Sequence, residues 1–159
     1  MASDIFAKLG DIKGESLDDK HKDEIKILSW SWGVANTRPP ATGSGAGTGK
    51  ATFSDLAFTH KIDKASPLLL QGCATGQHIK DATITRRKAG KGQQEFLVIK
   101  MSDVVITSVS ESDDSGGDQT ETVTLAFAKV DVEYRPQKPD GSLAAGLHFK
   151  YDLKSNKSG

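Results

Sequence analysis

Apolar and polar residues alternate along most of the chain, and a period of two is typical of β-strands with one buried face. The first such stretch places Ile5, Ala7 and Leu9 on one side and Lys8 on the other. Further strands are predicted over residues 24–34, 56–62, around 84, 96–101, 104–109, 121–134 and 148–153. The Gly-containing segment 88–92 predicts a hairpin connection between two of these strands.

Two of the predicted strands change the side on which their apolar residues lie. In the second strand the apolar positions pass from odd to even numbers between Ile27 and Leu28. In the long strand that ends near Tyr134 they do so between Phe127 and Val130. Such a change indicates either a bulge or a strand that is buried on both sides.

One short helix interrupts this pattern. Ser66 suits an N-cap, Pro67 the first helical position, and Gly76 the left-handed position after the last turn. Leu69 and Cys73 share a helical face. The chain is therefore predicted to be mainly β, an antiparallel barrel or sandwich with one short helix.

Composition narrows the class of protein. The 159 residues fit a single domain spanning 1–159, since no repeat or linker divides them. Equal numbers of basic and acidic residues, 21 each, argue against nucleic-acid binding. The apolar runs are too short for membrane insertion, and the N-terminus around Asp4 does not resemble a Sec signal. A soluble protein made in the cytoplasm is expected.

No motif predicts catalysis, a cofactor or a metal site. The stretch from Gly43 to Lys50 resembles a phosphate-binding loop, but Ser44 and Ala51 stand where that loop needs Gly and a hydroxyl residue. The single Cys73 excludes an intrachain disulfide, and a nucleophilic Gly-x-Ser-x-Gly turn is absent. The histidines, none at metal-ligand spacing, are His21, His60, His78 and His148.

The segment Ser29-Trp30-Ser31-Trp32 is the most specific local feature. On a strand its two tryptophans point one way and its two serines the other. Two interpretations remain open at this stage. Either the tryptophans belong to the core and the serines face bulk water, or Ser29 and Ser31 line a smooth, wet passage.

Charge is balanced overall but unevenly distributed. Residues 80–100 carry six basic side chains against two acidic ones, whereas residues 111–121 carry five acidic side chains and no basic one. These segments are either ordinary solvated loop tips or complementary contacts between copies of the chain.

Several sequence blocks closely resemble one family. They are Asp4-Ile5-Phe6, Lys13-Gly14-Glu15-Ser16, Asp23-Glu24-Ile25 running into Leu28-Ser29-Trp30-Ser31-Trp32-Gly33, Asp63-Lys64-Ala65-Ser66-Pro67, Arg87-Lys88-Ala89-Gly90, Phe127-Ala128-Lys129-Val130 and Tyr134-Arg135-Pro136-Gln137. In this order they are similar to the haemolysin-coregulated proteins (Hcp) of type VI secretion systems. The resemblance spans nearly the whole chain.

The resemblance implies a two-sheet β-barrel with a flanking helix that assembles into a hexameric ring. Rings of this family stack into the inner tube that a contractile sheath propels, with a spike protein at the tip and effector proteins carried in the lumen. It therefore implies a protein that is not an enzyme, with copies of itself, spike, sheath and effectors as partners. From the same resemblance, we expect the protein to be made in the cytoplasm and exported without a Sec signal.

Candidate residues can be placed on this scheme. Ser29 and Ser31 are the candidates for the lumen face. The extended Gly-rich loop from Arg38 to Lys50 is expected to join neighbouring subunits, and the residues expected to help stack the rings are Arg87, Lys88, Lys91, Asp113, Asp114 and Asp118. A short flexible tail is expected after Lys154. The alternative function is that of a monomeric barrel enclosing a small ligand.

Overall fold

The computed structural model describes residues 3–37, 49–88 and 92–159. These ranges contain ten strands and one helix. In chain order the elements are β1 (Ser3–Leu9), β2 (Ile25–Ser31), β3 (Val34–Asn36), β4 (Ala51–Phe53), β5 (Leu56–Lys61), α1 (Ser66–Thr75), β6 (His78–Lys88), β7 (Glu95–Ser112), β8 (Thr120–Tyr134), β9 (Leu147–Asp152) and β10 (Lys157–Ser158).

Six strands form a closed antiparallel barrel. Their order is β8-β5-β2-β1-β6-β7, and β7 pairs again with β8, so that the barrel wall has no open edge. β3 and β4 form a second, two-stranded sheet. The prediction of a mainly β, antiparallel fold with one short helix is confirmed, and the structure is a barrel rather than a sandwich.

The long strand β8 is shared between several neighbours. Its N-terminal half pairs with β5, from Thr120 opposite Lys61 to Leu125 opposite Leu56. Its C-terminal half pairs with β9, which extends the sheet beyond the barrel. β10 then adds to β9, and the Gly159 amide donates to the Lys150 carbonyl at 3.0 Å. The flexible tail expected after Lys154 stays a prediction, and the structure places Lys157 and Ser158 in β10.

The barrel interior is filled by the apolar faces of its six strands. Its most fully buried members include Leu9, Ile25, Leu56, Phe58, Ile84, Ile99, Met101, Val104, Ile106, Val123 and Leu125. Helix α1 packs against β7 and adds Leu69 to this core. It ends as predicted at Gly76, whose φ of 66° is left-handed. Its N-cap is Ala65 rather than Ser66, whose hydroxyl instead accepts a hydrogen bond from the Asp63 amide.

One of the two changes of buried face that the sequence indicates coincides with a bulge. The pairing of β2 with β5 shifts between Ile27 and Ser29, which turns Leu28 outward. In β8, Phe127, Ala128 and Val130 are all buried, and the pairing with β7 keeps its register there, with Val104 opposite Phe127 and Ser102 opposite Lys129. The bulge in β2 was one of the two predicted alternatives.

Candidate functional site

Ser29 and Ser31 lie on the outer surface of the barrel, and both are exposed. Trp30 and Trp32 point the other way and pack against the core. The indole of Trp32 stacks on Phe53, with ring centroids 5.8 Å apart. The prediction that the tryptophans and the serines occupy opposite sides of β2 is confirmed.

Strand pairing extends the two serines into a larger surface. Ser29 lies opposite Thr59 on β5, which lies opposite Thr122 on β8 and then Ser110 on β7. A second row runs parallel to the first. The eight residues of the two rows, called here the hydroxyl face, are Ser29, Thr59, Thr122, Ser110, Ser31, Ala57, Thr124 and Ser108.

The eight residues of the hydroxyl face include no charged side chain, and two pairs of their hydroxyls bond to each other. The Oγ1 atoms of Thr59 and Thr122 are 3.1 Å apart, and Ser108 Oγ is 2.6 Å from Thr124 Oγ1. Short side chains that satisfy each other's hydrogen bonds make a smooth, wettable wall. Sequence reasoning found only the two serines. The polar positions of β5 and β8 were visible, but their alignment depends on strand pairing that is distant in sequence.

The C-terminal half of β8 has a different outer surface. Its outward residues pair with those of β9 in three rows, called here the charged face: Lys129 with Asp152, Asp131 with Lys150, and Glu133 with His148. The His148 ring lies between two carboxylates. Its Nδ1 is 2.9 Å from Asp131 and its Nε2 is 3.3 Å from Glu133.

Arg87 does not lie on the surface as expected for a stacking contact. Its side chain is only 2% exposed, packed over the Phe6 ring. The guanidinium donates to both carboxylate oxygens of Asp18, the longer of these bonds being 2.8 Å, and lies 3.4 Å from Asp4. This paired position corrects the expectation, because a buried and neutralised guanidinium offers nothing to a second copy.

The ion pair of Arg87 has a structural role instead. The adjacent guanidinium lowers the pKa of the Asp18 carboxyl well below its usual range, and Asp18 in turn raises the pKa of Arg87. His21 stacks on Phe6 at 4.4 Å and is 2.7 Å from Glu95. Together these contacts pin the loop between β1 and β2 to the outside of the barrel.

The remaining basic candidate for stacking among the described residues, Lys88, lies at the end of the barrel where β6 and β7 meet. Lys88 closes the pairing of β6 with β1 and hydrogen-bonds to Gln137, with its ammonium 5.8 Å from the Phe96 ring centre. Lys91 lies outside the described residues, so this end is represented here by Lys88.

The acidic candidates lie on the hairpin at the opposite end of β7. Asp113, Asp114 and Asp118 are all exposed. Asp114 accepts a hydrogen bond from Gly116, and Asp118 is 3.6 Å from Lys61 Nζ. The 18 residues of β7 separate this hairpin from Lys88 by up to about 55 Å of extended chain. The two oppositely charged ends are therefore far apart on one molecule.

A buried acid–base pair lies inside the barrel near the acidic end. His60 Nε2 is 2.8 Å from Glu121 Oε1, and both side chains are fully buried. Asp63 is 3.8 Å from the other ring nitrogen. Burial raises the pKa of Glu121 and also that of Asp63. The sequence did not single out this pair, since its residues are 61 positions apart.

The loop expected to reach a neighbouring subunit lies mostly outside the described residues, including Arg38. Its far end is described. The Thr37 amide donates to the Lys50 carbonyl at 3.2 Å, and Lys50 is exposed. The ribbon of β3 and β4 therefore brings both ends of the loop together. Phe53 of that ribbon contacts Tyr151 at 4.8 Å and so holds it against β9.

Neither a metal centre nor a membrane span is found in the described part of the chain. Residues 3–37, 49–88 and 92–159 contain no group of three ligating side chains suited to a metal ion. They also contain no helix with the length and apolar character needed to cross a bilayer.

A family model described as type VI secretion system effector, Hcp, matches residues 6–134. The chain belongs to the Hcp family. It is 44% identical over 159 residues to Protein hcp1 of Pseudomonas aeruginosa, covering 98% of each chain. The resemblance found in the sequence blocks is thereby confirmed.

Solved Hcp structures share the fold. A structure described as a type six secretion system protein matches with a TM-score of 0.93 at 31% identity, covering 99% of this chain and 100% of the other. Hcp1 of Salmonella typhimurium matches with a TM-score of 0.82 at 38% identity, covering all of both chains. This chain is accordingly a component of a type VI secretion system. Its family is one of structural secretion proteins.

Proposed function

We propose that this Hcp chain is a subunit of the secretion tube, forming hexameric rings whose lumen is lined by the hydroxyl face. The observation that carries the proposal is the contrast along β8. One half presents aligned threonines with no charge, and the other half presents alternating ions. A wall that cargo must pass needs short side chains without strong charge, whereas an outer wall facing solvent or sheath tolerates ions.

Effector proteins are the proposed cargo of this lumen. A hydroxyl surface offers many weak hydrogen bonds and no deep pocket, so it can hold a folded protein without binding it irreversibly. Ser29 and Ser31 lie at one edge of that wall, where β2 borders the rest of the barrel. Copies carrying cargo would then leave the cytoplasm through the secretion apparatus, without a Sec signal and with spike and sheath as partners.

Stacking of rings is assigned to the charged segments that flank the two ends of β7. Lys88 forms the basic end, Asp113, Asp114 and Asp118 form the acidic end, and the predicted contribution of Lys91 lies outside the described residues. Contact between different surfaces of successive copies generates open stacks, as a tube requires. The loop from Arg38 to Lys50 is assigned to contacts between subunits of one ring.

The alternative of a monomeric ligand-binding barrel is less well supported. The interior of this barrel is occupied by its own core side chains. A barrel that encloses a small molecule instead keeps its interior open.

Imaging and mass measurement of the purified protein test the proposal. We expect annular particles of six chains in negative stain and a matching mass by light scattering. Ring-on-ring association should weaken as salt rises, since screening shortens to about 8 Å at physiological ionic strength. A chain that stays at its single mass of 17.0 kDa at high concentration would contradict the proposal.

Cargo retention tests the lumen face. We expect Ser31→Trp to reduce co-purification of an effector severalfold while rings still form, because a bulky ring would obstruct the wall. Ser102→Trp is the matched control, since Ser102 lies opposite Lys129 on the other outer surface. Equal retention by the two variants would remove the hydroxyl face from the proposal.

A further inference from the structure

Leu17 is the most exposed large apolar side chain of the described residues, at 91%. It is nevertheless held in a fixed position. The Ser16 amide donates to the Glu24 carbonyl at 3.0 Å, and Asp18 is bound by the buried Arg87. Because the braced loop already restricts the conformations of Leu17, docking of a partner costs less conformational entropy.

Leu28 belongs to the same groove as Leu17. The bulge in β2 turns Leu28 outward, leaving it 54% exposed, and both leucines line one surface groove of about 770 Å³. These two residues are called here the leucine knob. The braced loop beside them, residues 10–24, carries six carboxylates against three lysines, and five carboxylates remain when Asp18, paired with Arg87, is left out.

A second apolar surface lies on β8 and β9, well separated from the knob in the strand order. Tyr134 pairs with Leu147, and Phe149 follows on the same side of β9. Leu147 is 68% exposed. These three residues are called here the β9 patch. In the described part of the chain, β10 and Gly159 extend along β9 only as far as Lys150, so the strand edge beside Leu147 is open.

The border of the β9 patch is basic. The ring of Phe96 contacts Tyr134 edge-on at 6.4 Å, and Arg86 lies over that ring at 5.6 Å. Arg135, which follows Tyr134 in the chain, is exposed and donates a hydrogen bond to Glu133 at 3.3 Å. An apolar patch with a cationic border is the charge complement of an apolar knob on an acidic loop.

We propose that the leucine knob of one copy docks on the β9 patch of the next copy within the ring. The inference rests on the proposed function and specifies which surfaces close the ring. The knob and the patch are different surfaces, so every copy offers one of each and the chain of contacts can return to its start. Leu17 is the central anchor, and the surrounding opposite charges set the orientation.

Single substitutions test the two surfaces separately. We expect Leu17→Asp and Leu147→Asp each to reduce the assembly from its ring mass to the 17.0 kDa of one chain. Leu68→Asp on α1 is the matched control, because Leu68 is also an exposed leucine but belongs to neither surface. All three side chains are exposed, and an unchanged circular dichroism spectrum would show that each variant is folded.

Mixing the two variants tests whether the surfaces meet each other. The Leu17→Asp chain keeps an intact β9 patch, and the Leu147→Asp chain keeps an intact knob. Their mixture should therefore form a one-to-one dimer that cannot close, giving twice the single mass by light scattering.

Each contrary result has a distinct meaning. Rings that persist in either variant would overturn the inference and leave the proposed function standing. The same holds for a mixture that stays monomeric, or for a Leu68→Asp control that also loses its rings. A wild-type chain that never assembles would instead contradict the proposed function and the docking together.

Discussion

The two halves of β8 share one barrel and one core but have opposite outer surfaces. The N-terminal half, next to β5, presents Thr122 and Thr124 in uncharged hydroxyl rows. The C-terminal half, next to β9, presents Asp131 and Glu133 opposite a lysine and a histidine. Both halves contribute apolar residues to the core, Val123 and Leu125 from the first and Val130 from the second, so membership of the core does not explain the difference. The outer surfaces are therefore where the functional demands on the strand differ.

The largest expected effect concerns the buried ion pair on the outside of β6. We expect Arg87→Met to lower the melting temperature by several degrees, since removing one partner of a buried pair leaves the other charge uncompensated. Arg86→Met is the matched control, because Arg86 is less buried and has no carboxylate partner in the described residues. Thermal unfolding at pH 7 measures both.

The pH dependence of the same variant sharpens the test. The pKa of Asp18 is lowered in the folded chain, so its stabilising effect is present above the ordinary value of 3.8 and is lost as the pH falls below it. The difference between wild type and Arg87→Met should therefore shrink in that acidic range. A difference that is constant with pH would mean that packing alone, and not the ion pair, accounts for the loss.

A second, intermediate effect concerns the acid buried inside the barrel. Burial raises the pKa of Glu121, so the folded chain favours its protonated form, and this contribution to stability grows as the pH falls towards the ordinary value of 4.5. Glu121→Gln imitates the protonated acid. We therefore expect the stability of the wild type relative to this variant to rise from pH 7.5 to pH 5.

Melting curves across that range measure the change for Glu121→Gln. Glu133→Gln, on the accessible charged face, is the matched control for loss of any carboxylate. An opposite slope, with the wild type losing stability relative to Glu121→Gln on acidification, would show that the ion pair with His60 outweighs the cost of burial.

The smallest expected effects concern the two outer faces themselves. Thr124→Val removes hydrogen bonds to Thr107 and Ser108, and Asp131→Asn weakens the pair with His148. Each should change the free energy of unfolding by no more than about 1 kcal/mol, because water replaces what an exposed group loses. Chemical denaturation measures both. A loss of several kcal/mol in either would mean that the face serves stability.

Local features of the fold could be predicted well from the sequence. Alternation located the barrel strands, Gly76 marked the end of the helix, and the Ser-Trp pattern of β2 assigned its two sides correctly. These features depend on neighbours within a few residues. The N-cap was misplaced by one residue, because the Ser66 hydroxyl bonds to the Asp63 amide in the preceding turn.

The candidate site could be predicted only in part. Ser29 and Ser31 were found, but the remaining six residues of the hydroxyl face were not, because three strand pairings align them. Arg87 was assigned to the surface because it stands in a basic segment. Its two carboxylate partners are 69 and 83 positions away in the chain, and only the folded barrel brings them to it.

The order of residues alone determined that this chain forms antiparallel strands, one helix and an apolar core, because side-chain periodicity is a property of consecutive positions. The tertiary structure decided that the sheet closes, that β8 is divided between β5 and β9, and which charges are buried. Those outcomes depend on which distant strands share hydrogen bonds. Whether a polar residue of β8 lies in an uncharged row or in an ion pair depends on the strand that pairs with it.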